Sequence, residues 1–156
     1  MLTATLWVAA GVITAAFIAR GVKISEFRQS WIDGLRVDIS EYTCTAHQWV
    51  DLYLLSILES DEEHKSNLVS QLNQLKYEAL HIHSRISLRF KPDDIAANGL
   101  LLELLDLLDP SIIGGDSSAY SNWRNLSDKV VLNARVLLKE EWETTKNPLR
   151  NLYKKA

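Results

Sequence analysis

The chain is poor in the residues that interrupt or cross-link a fold. Its 156 residues include one cysteine, three prolines and six glycines. The single cysteine, Cys44, excludes an intrachain disulfide, a CxxC redox pair and a thiolate metal cage. No proline precedes Pro92, so nothing forces a break in a long helix before that position.

Charge is absent from the start of the chain and weakly acidic afterwards. The first 19 positions contain no Asp, Glu, Lys or Arg, and Arg20 and Lys23 are the first charged residues. All 20 acidic residues and 15 of the 17 basic ones follow Lys23, so residues 24–156 carry a net charge of −5. Nucleic-acid surfaces need clustered basic charge, and we therefore expect no nucleic-acid partner.

The opening stretch, MLTATLWVAAGVITAAFIARGVK, is compatible with four kinds of segment. A cleaved signal has its basic residues before the apolar run, whereas here they follow it. An interfacial helix needs a charged face, and a core helix of this length normally has a polar stripe. A transmembrane helix over residues 1–22 is the best prediction, since the 18 uncharged residues from Leu2 to Ala19 rise about 27 Å.

The basic residues predict the orientation of this span. They flank its C-terminal end, and basic flanks stay in the cytoplasm. We therefore predict a single span with a short N-terminus outside and the C-terminus in the cytoplasm; in a bacterium the membrane would be the inner one. Membrane lipid is then a predicted partner, with Arg20, Lys23, Lys154 and Lys155 as the lipid-facing basic residues.

Small residues recur every four positions within the predicted span, at Gly11, Ala15 and Ala19. Such a ridge lets two transmembrane helices approach closely and associate. Alanine is also simply abundant in anchors, so the ridge favours self-association without requiring it.

The remainder is predicted to be all-α. A first helix at residues 24–58 continues the anchor with little break, and its apolar residues recur every 3.6 positions or so: Ile24, Phe27, Trp31, Leu35, Ile39, Tyr42, Ala46 and Trp49. Further helices are predicted at about 62–90, after Pro92, and at about 121–145. The apolar face of the last is Trp123, Leu126, Val130, Ala134, Leu137 and Leu138. The domain prediction is an anchor at 1–22, a cytosolic antiparallel bundle of about four helices at 23–145, and a basic tail at 146–156.

The second predicted helix has a regular apolar seam. Its residues are spaced alternately four and three apart, as in a heptad repeat: Leu68, Leu72, Leu75, Ala79, Ile82 and Ile86. This pattern favours either a helical hairpin with the first helix or a coiled coil between chains. The seam and the small-residue ridge are the predicted interaction residues, and the partner is a second copy or another protein.

The later part of the chain adds a leucine-rich helix, a long loop and the tail. The sequence IAANGLLLELLDLLD leaves only a narrow polar line, so this helix is expected to be central in the bundle. The next 14 residues or so, 109–122, are predicted to form a loop that is functional or mobile. The tail is basic, and either binds an acidic leaflet or is a solvated end.

Catalytic and metal-binding patterns are weak. Glu78 and His81 have Glu-x-x-His spacing, but di-iron bundles need two such copies and two further glutamates. His81 and His83 point to different sides of a helix. No GxSxG or phosphate-binding loop is present. We therefore expect no catalytic residues, no metal, no cofactor and no small-molecule substrate, and an enzyme acting through the 109–122 loop is a third hypothesis.

The segment KISEFRQSWIDGLRVDISEY, residues 23–42, resembles the juxtamembrane segment of a group of small bacterial single-span membrane proteins of unknown function. That group shares the pattern ISEFRQ-x-WI-x-x-LR-x-DI and a late Glu-Trp pair like Glu141-Trp142. The likeness covers about the first 45 residues well. An Asn-Pro-rich turn follows the second helix in the group, and Phe90–Asp94 departs from it. The resemblance implies a bacterial or prophage inner-membrane protein and assigns no catalytic residue.

Together these patterns predict a non-enzymatic interaction or oligomerisation module held at the inner membrane. The alternative is a membrane-active effector, such as a phage-exclusion or defence component that assembles in the membrane.

Overall fold

The computed structural model describes residues 2–115 and 117–146; within them, the side chains of 2–6, 8–10 and 144–146 are not described. The described residues form five helices and no strand: α1 (Leu2–Leu58), α2 (Glu62–Ser87), α3 (Ile95–Asp106), α4 (Pro110–Ile113) and α5 (Ala119–Lys146). The predicted all-α class is confirmed, with four long helices and one short turn of helix.

Helix α1 is continuous across the boundary predicted between anchor and body. It ends at Leu58, where the Glu59 carboxylate accepts hydrogen bonds from the backbone amides of Ser60 (2.8 Å) and Asp61 (2.9 Å). These bonds lower the pKa of Glu59 because they favour the charged form. Asp61 then caps α2 by accepting from the Glu63 amide at 3.3 Å.

Helix α2 ends three residues before the predicted position. The amides of Arg89 and Phe90 bond to carbonyls three residues earlier, which tightens the chain into a turn before Pro92. Asp94 caps α3 by accepting from the Ala97 amide at 3.0 Å. The cap replaces one of the hydrogen bonds that a helix start lacks.

The predicted 14-residue loop at 109–122 is shorter in the structure. Asp109 accepts from the Ser111 amide at 2.8 Å and starts α4, and this bond together with one from the Ser111 hydroxyl lowers the pKa of Asp109. Gly114, with φ of 83°, ends the helical turn in a conformation that suits glycine. Helix α5 begins at Ala119.

The chain divides into two compact units. One comprises the described parts of residues 1–34 and 140–156, and the other comprises residues 35–139. The predicted tail from 147 lies outside the described residues.

The core of the 35–139 unit confirms most of the predicted apolar stripes. From α1 it contains Leu35, Ile39, Tyr42, Ala46 and Trp49, and from α5 it contains Trp123, Val130, Ala134, Leu137 and Leu138. The α1 stripe was predicted to begin earlier, at Ile24 and Phe27, but both side chains are exposed.

Helix α3 contacts the other three long helices of this unit, but it is not covered on most sides as its leucine content predicts, because Ile95 is 86% and Leu102 65% exposed. Carbonyls in its second half and just beyond its end accept hydrogen bonds from those helices, and the Leu104 carbonyl also accepts from the Leu107 amide at 3.2 Å. Tyr42 of α1 donates to Leu104 at 2.6 Å, His83 of α2 lies 3.0 Å from the Leu101 carbonyl, and the Trp123 indole of α5 donates to Leu107 at 3.1 Å.

Candidate functional site

The first half of α1 contains a segment with apolar side chains exposed on all sides. We call Gly11–Ala19, which contains no charged residue, the apolar segment. Phe17 is 69% exposed, and its other large apolar side chains are also exposed: Val12, Ile13 and Ile18. At 100° per residue these positions are distributed around the helix. No part of the described chain covers the segment.

The predicted small-residue ridge lies on this segment. Gly11, Ala15 and Ala19 are exposed, and a side-chain carbon added at Gly11 would meet no atom within 4 Å. A single chain therefore leaves the ridge open. Its role in self-association stays a prediction.

The predicted lipid-facing basic residues fall into two groups. Arg20 and Lys23 are exposed on α1, just after the apolar segment. Lys154 and Lys155 lie outside the described residues.

A helix that crosses a membrane must be both long and apolar. Over the part of the chain whose side chains are described, no helix combines the length and apolar character needed to cross a membrane. The predicted span at 1–22 includes positions 1–6 and 8–10, whose side chains lie outside that part.

The apolar seam of α2 is covered in its C-terminal half. Ala79, Ile82 and Ile86 are buried within the single chain, whereas Leu68, Leu72 and Leu75 are half-buried. Near the buried half, α2 is joined to α1 by ion pairs. The sequence predicted either a helical hairpin with α1 or a coiled coil between chains. Over this half of the seam, the structure has the helical hairpin.

Four charged residues between α1 and α2 form what we call the ion-pair cluster. Asp38 is buried, and its carboxylate lies 3.1 Å from Arg85 Nη2 and 2.7 Å from Arg89 Nη2. Arg89 Nε also donates to Asp38 at 2.7 Å, and Arg85 pairs with Glu41. The hydrogen bond that Arg85 donates to the Glu41 carboxylate and the nearby Asp38 charge raise the pKa of Arg85.

The ion-pair cluster was not identified from the sequence. Its acids are spaced three apart on α1, which puts them on one helix face. Of its arginines, Arg85 lies in the last turn of α2 and Arg89 in the turn that follows the helix. The two acids balance the two arginines, so the arrangement is suited to holding the helices in register. Arg85 Nε is buried and has no hydrogen-bond partner.

A second polar group joins α1 to α5. His47 Nε2 and the Tyr120 hydroxyl are 3.0 Å apart, and the His47 ring lies 4.9 Å from that of Trp123. Asp51 Oδ2 is 3.9 Å from His47 Nε2. His47 lies at the edge of α1, where its ring contacts those of Tyr120 and Trp123 and is partly exposed to solvent.

The weak metal pattern is not assembled in the structure. Glu78 and His81 are both exposed, and the described residues contain no group of three or more histidine, cysteine or acidic side chains placed to hold a metal ion.

Comparison of the chain with protein-family models, with curated proteins and with solved structures gives no match. The candidate site is therefore defined by the geometry alone. Its most unusual feature is the apolar segment of α1.

Proposed function

We propose that this protein is a non-enzymatic helical interaction module anchored in a bacterial inner membrane by the first part of α1. The observation that carries the proposal is the exposure of apolar side chains around the uncharged segment Gly11–Ala19. A helix that is apolar all round needs apolar surroundings on every side. A protein groove covers one side of a helix, whereas lipid covers all of them.

Two properties of this part of α1 support a spanning helix: its length and the free energy gained when its apolar surface moves from water into lipid. Leu2–Val22 lies within the continuous helix α1, and this stretch rises about 31 Å, close to the thickness of a bilayer's hydrocarbon core. Removing apolar surface from water is worth about 25 cal/mol per Å². Side chains as exposed as Phe17 and Ile18 would gain most of that free energy in lipid.

The charge distribution supports an orientation with the body in the cytoplasm. Arg20 and Lys23 are exposed at the C-terminal end of the predicted span, and Arg36 is exposed further along α1. Basic residues next to a span are retained on the cytoplasmic side. The lipid-facing role of Arg20, Lys23, Lys154 and Lys155 belongs to this proposal.

The only cysteine provides a direct test of this topology. Cys44 is exposed and lies beyond the predicted span. A membrane-impermeant maleimide should label it in lysed cells or inside-out vesicles but not in intact spheroplasts. As a matched control, Thr3→Cys in a Cys44→Ser background should be labelled from outside.

The outcomes separate the span from its alternatives. Recovery of the protein in the soluble fraction, or its release by alkaline carbonate, would exclude the span. Labelling of Cys44 in intact spheroplasts would reverse the orientation.

One observation favours the alternative function, a membrane-active effector that assembles in the bilayer. The ridge of Gly11, Ala15 and Ala19 is open for helix–helix contact. Under this alternative, overproduction should collapse the membrane potential, and Ala15→Leu should prevent the collapse. An unchanged potential in cells that overproduce the native chain would reject it.

A further inference from the structure

A short stretch of α1 around the C-terminal end of the predicted span carries its basic and apolar residues on one face. These residues are spaced three or four apart, as neighbours on a helix face are: Arg20, Lys23, Ile24, Phe27 and Arg28. At 100° per residue, all five lie within about 70° of a common direction. We call them the basic–apolar face.

The acidic residues of the same stretch lie elsewhere on the helix. Glu26 and Asp33 are the only acids between Arg20 and Gly34. Their positions are about 130° and 150° away from the centre of the basic–apolar face. The face therefore carries positive charge without a carboxylate among its members.

The apolar residues of the face remain open to solvent in the described chain. Phe27 is 74% exposed and Ile24 50%, although apolar periodicity predicts both in the core stripe of α1. Arg20 and Lys23 are exposed, and Arg28 is half-buried. Exposed apolar residues among basic ones suit a partner that offers both apolar and negatively charged groups.

The position of the face along α1 matches the depth of lipid headgroups. Measured along the helix axis from Val22, the end of the predicted span, Phe27 lies about 8 Å and Arg28 about 9 Å away. The headgroup region extends about 5–8 Å beyond the hydrocarbon core of a bilayer, and its surface charge acts over about 8–10 Å more. Arg20 lies about 3 Å before Val22, and its long side chain can reach the same headgroups.

We propose that the basic–apolar face binds anionic phospholipid headgroups of the leaflet on the side of the body. Its guanidinium and ammonium groups pair with lipid phosphates, while Ile24 and Phe27 insert between the headgroups toward the acyl chains. The inference rests on the proposed span. It goes beyond the lipid-facing role of Arg20 and Lys23, because it specifies the class of lipid and adds Ile24, Phe27 and Arg28 to the site.

Charge makes a second copy of the chain a poorer occupant of this face. Two copies joined through it would bring basic residues against basic residues, and like charges that face each other oppose association. An anionic leaflet supplies the opposite charge and, directly beneath it, an apolar layer. Lipid is therefore the occupant that matches both kinds of residue on the face.

The first test measures which lipids the full chain retains. The chain is reconstituted in bilayers of equal parts phosphatidylcholine and phosphatidylglycerol and extracted in mild detergent, and the bound lipids are quantified by mass spectrometry. The native chain should retain at least threefold more phosphatidylglycerol than phosphatidylcholine. Combining Arg20→Gln, Lys23→Gln and Arg28→Gln should lower this ratio to about one.

A matched control separates the face from the overall charge of the protein. Lys91→Gln, Arg124→Gln and Arg135→Gln, at exposed positions of the body, remove the same charge as the triple change in the face. This control should keep the ratio of the native chain. Circular dichroism should show the same helix content in both triple variants.

The second test measures the depth of the face without removing its charges. Phe27→Cys in a Cys44→Ser background is labelled with a fluorophore in the same bilayers. Lipids that carry a nitroxide on the headgroup should quench it by at least half. Val37→Cys in the same background, at an exposed position fifteen residues beyond Val22, should be quenched much less.

The outcomes separate this site from the span and from other occupants. Equal retention of the two lipids by the native chain, an equal loss in both triple variants, or equal quenching at positions 27 and 37 would overturn the proposal. A disulfide-linked dimer formed through Phe27→Cys would assign the face to a second copy. Release of the native chain by alkaline carbonate would refute the span itself, whereas a chain that is retained without lipid preference refutes only the headgroup site.

Discussion

Two parts of α1 differ in burial. From Gly11 to Ala19 the large apolar side chains are exposed around the helix and no residue is charged, whereas from Leu35 to Val50 one face is buried and the other carries charged and polar groups. The difference lies in where the charges fall. A helix with one polar face packs against protein, and a helix with no polar face has no preferred side to bury.

The largest contrast is expected from truncating an apolar side chain in each half. Leu35 is fully buried, so Leu35→Ala should lower the free energy of unfolding by about 2–5 kcal/mol through lost burial and a cavity. Ile18→Ala, on an exposed side chain, should change it by less than about 0.5 kcal/mol. Chemical denaturation in detergent followed by circular dichroism compares them, and equal effects would remove the distinction.

The ion-pair cluster sharpens the same contrast for charged residues. Asp38→Asn leaves Arg85 and Arg89 with a neutral partner, and we expect a loss of about 1–3 kcal/mol in the free energy of unfolding. Asp128→Asn, on the exposed face of α5, is the matched control and should stay within about 0.5 kcal/mol. Indistinguishable stabilities would show that the cluster does not hold α1 to α2.

Tyr42 links the buried half of α1 to α3. Tyr42→Phe removes the hydrogen bond to the Leu104 carbonyl, so that this oxygen accepts one hydrogen bond fewer. We expect the free energy of unfolding to fall by about 0.5–1.5 kcal/mol. Phe27→Ala, on an exposed ring of the other half, serves as the comparison and should leave the body's stability unchanged.

The same tyrosine predicts an alkaline limit to stability. Burial, and to a lesser degree the Asp106 carboxylate, raise the pKa of Tyr42 above its ordinary value of 10.0. The folded state then keeps a proton that the unfolded chain loses. Its contribution is complete below pH 10, and stability falls above it by about 1.4 kcal/mol per pH unit. Unfolding of the native chain and of Tyr42→Phe at pH 9 to 11 should show a flatter profile for the variant.

The smallest effect on stability is expected at the small-residue ridge. Ala15→Leu adds an apolar side chain to an exposed face, so the free energy of unfolding should stay within about 0.5 kcal/mol. Crosslinking in membranes should nevertheless decrease if the ridge is a helix contact. Unchanged crosslinking would show that the ridge is not the contact through which copies associate.

The sequence predicts the helices of this chain well because their signals are local. Apolar periodicity locates the buried faces of α1 from Leu35 and of α5 from Trp123, and Pro92 with Asp94 marks the start of α3. The same periodicity wrongly extended the α1 core stripe to Ile24 and Phe27. Spacing identifies residues on one face but does not say where covering helices begin and end.

These local patterns do not predict contacts between residues that are far apart in the sequence. Asp38 and Arg85 are separated by most of α1's second half and most of α2, and neither has a local signature that distinguishes it from a solvated charge. The predicted loop at 109–122 was too long for a related reason. The capping bonds of Asp109 and the start of α5 at Ala119 depend on how Ile113 and Trp123 pack in the core.

The hydrogen bonds that end α3 have a consequence for how the body folds. A helix as short as Ile95–Asp106 is marginal in water by itself. The carbonyls of Leu104, Leu101 and Leu107 form hydrogen bonds with Tyr42, His83 and Trp123, which lie on three other helices. Trp123 is the last of these three residues to be synthesised. A nascent chain that stops before Trp123 would therefore hold an incomplete, protease-sensitive body, and the unit would mature in one cooperative step once α5 has emerged.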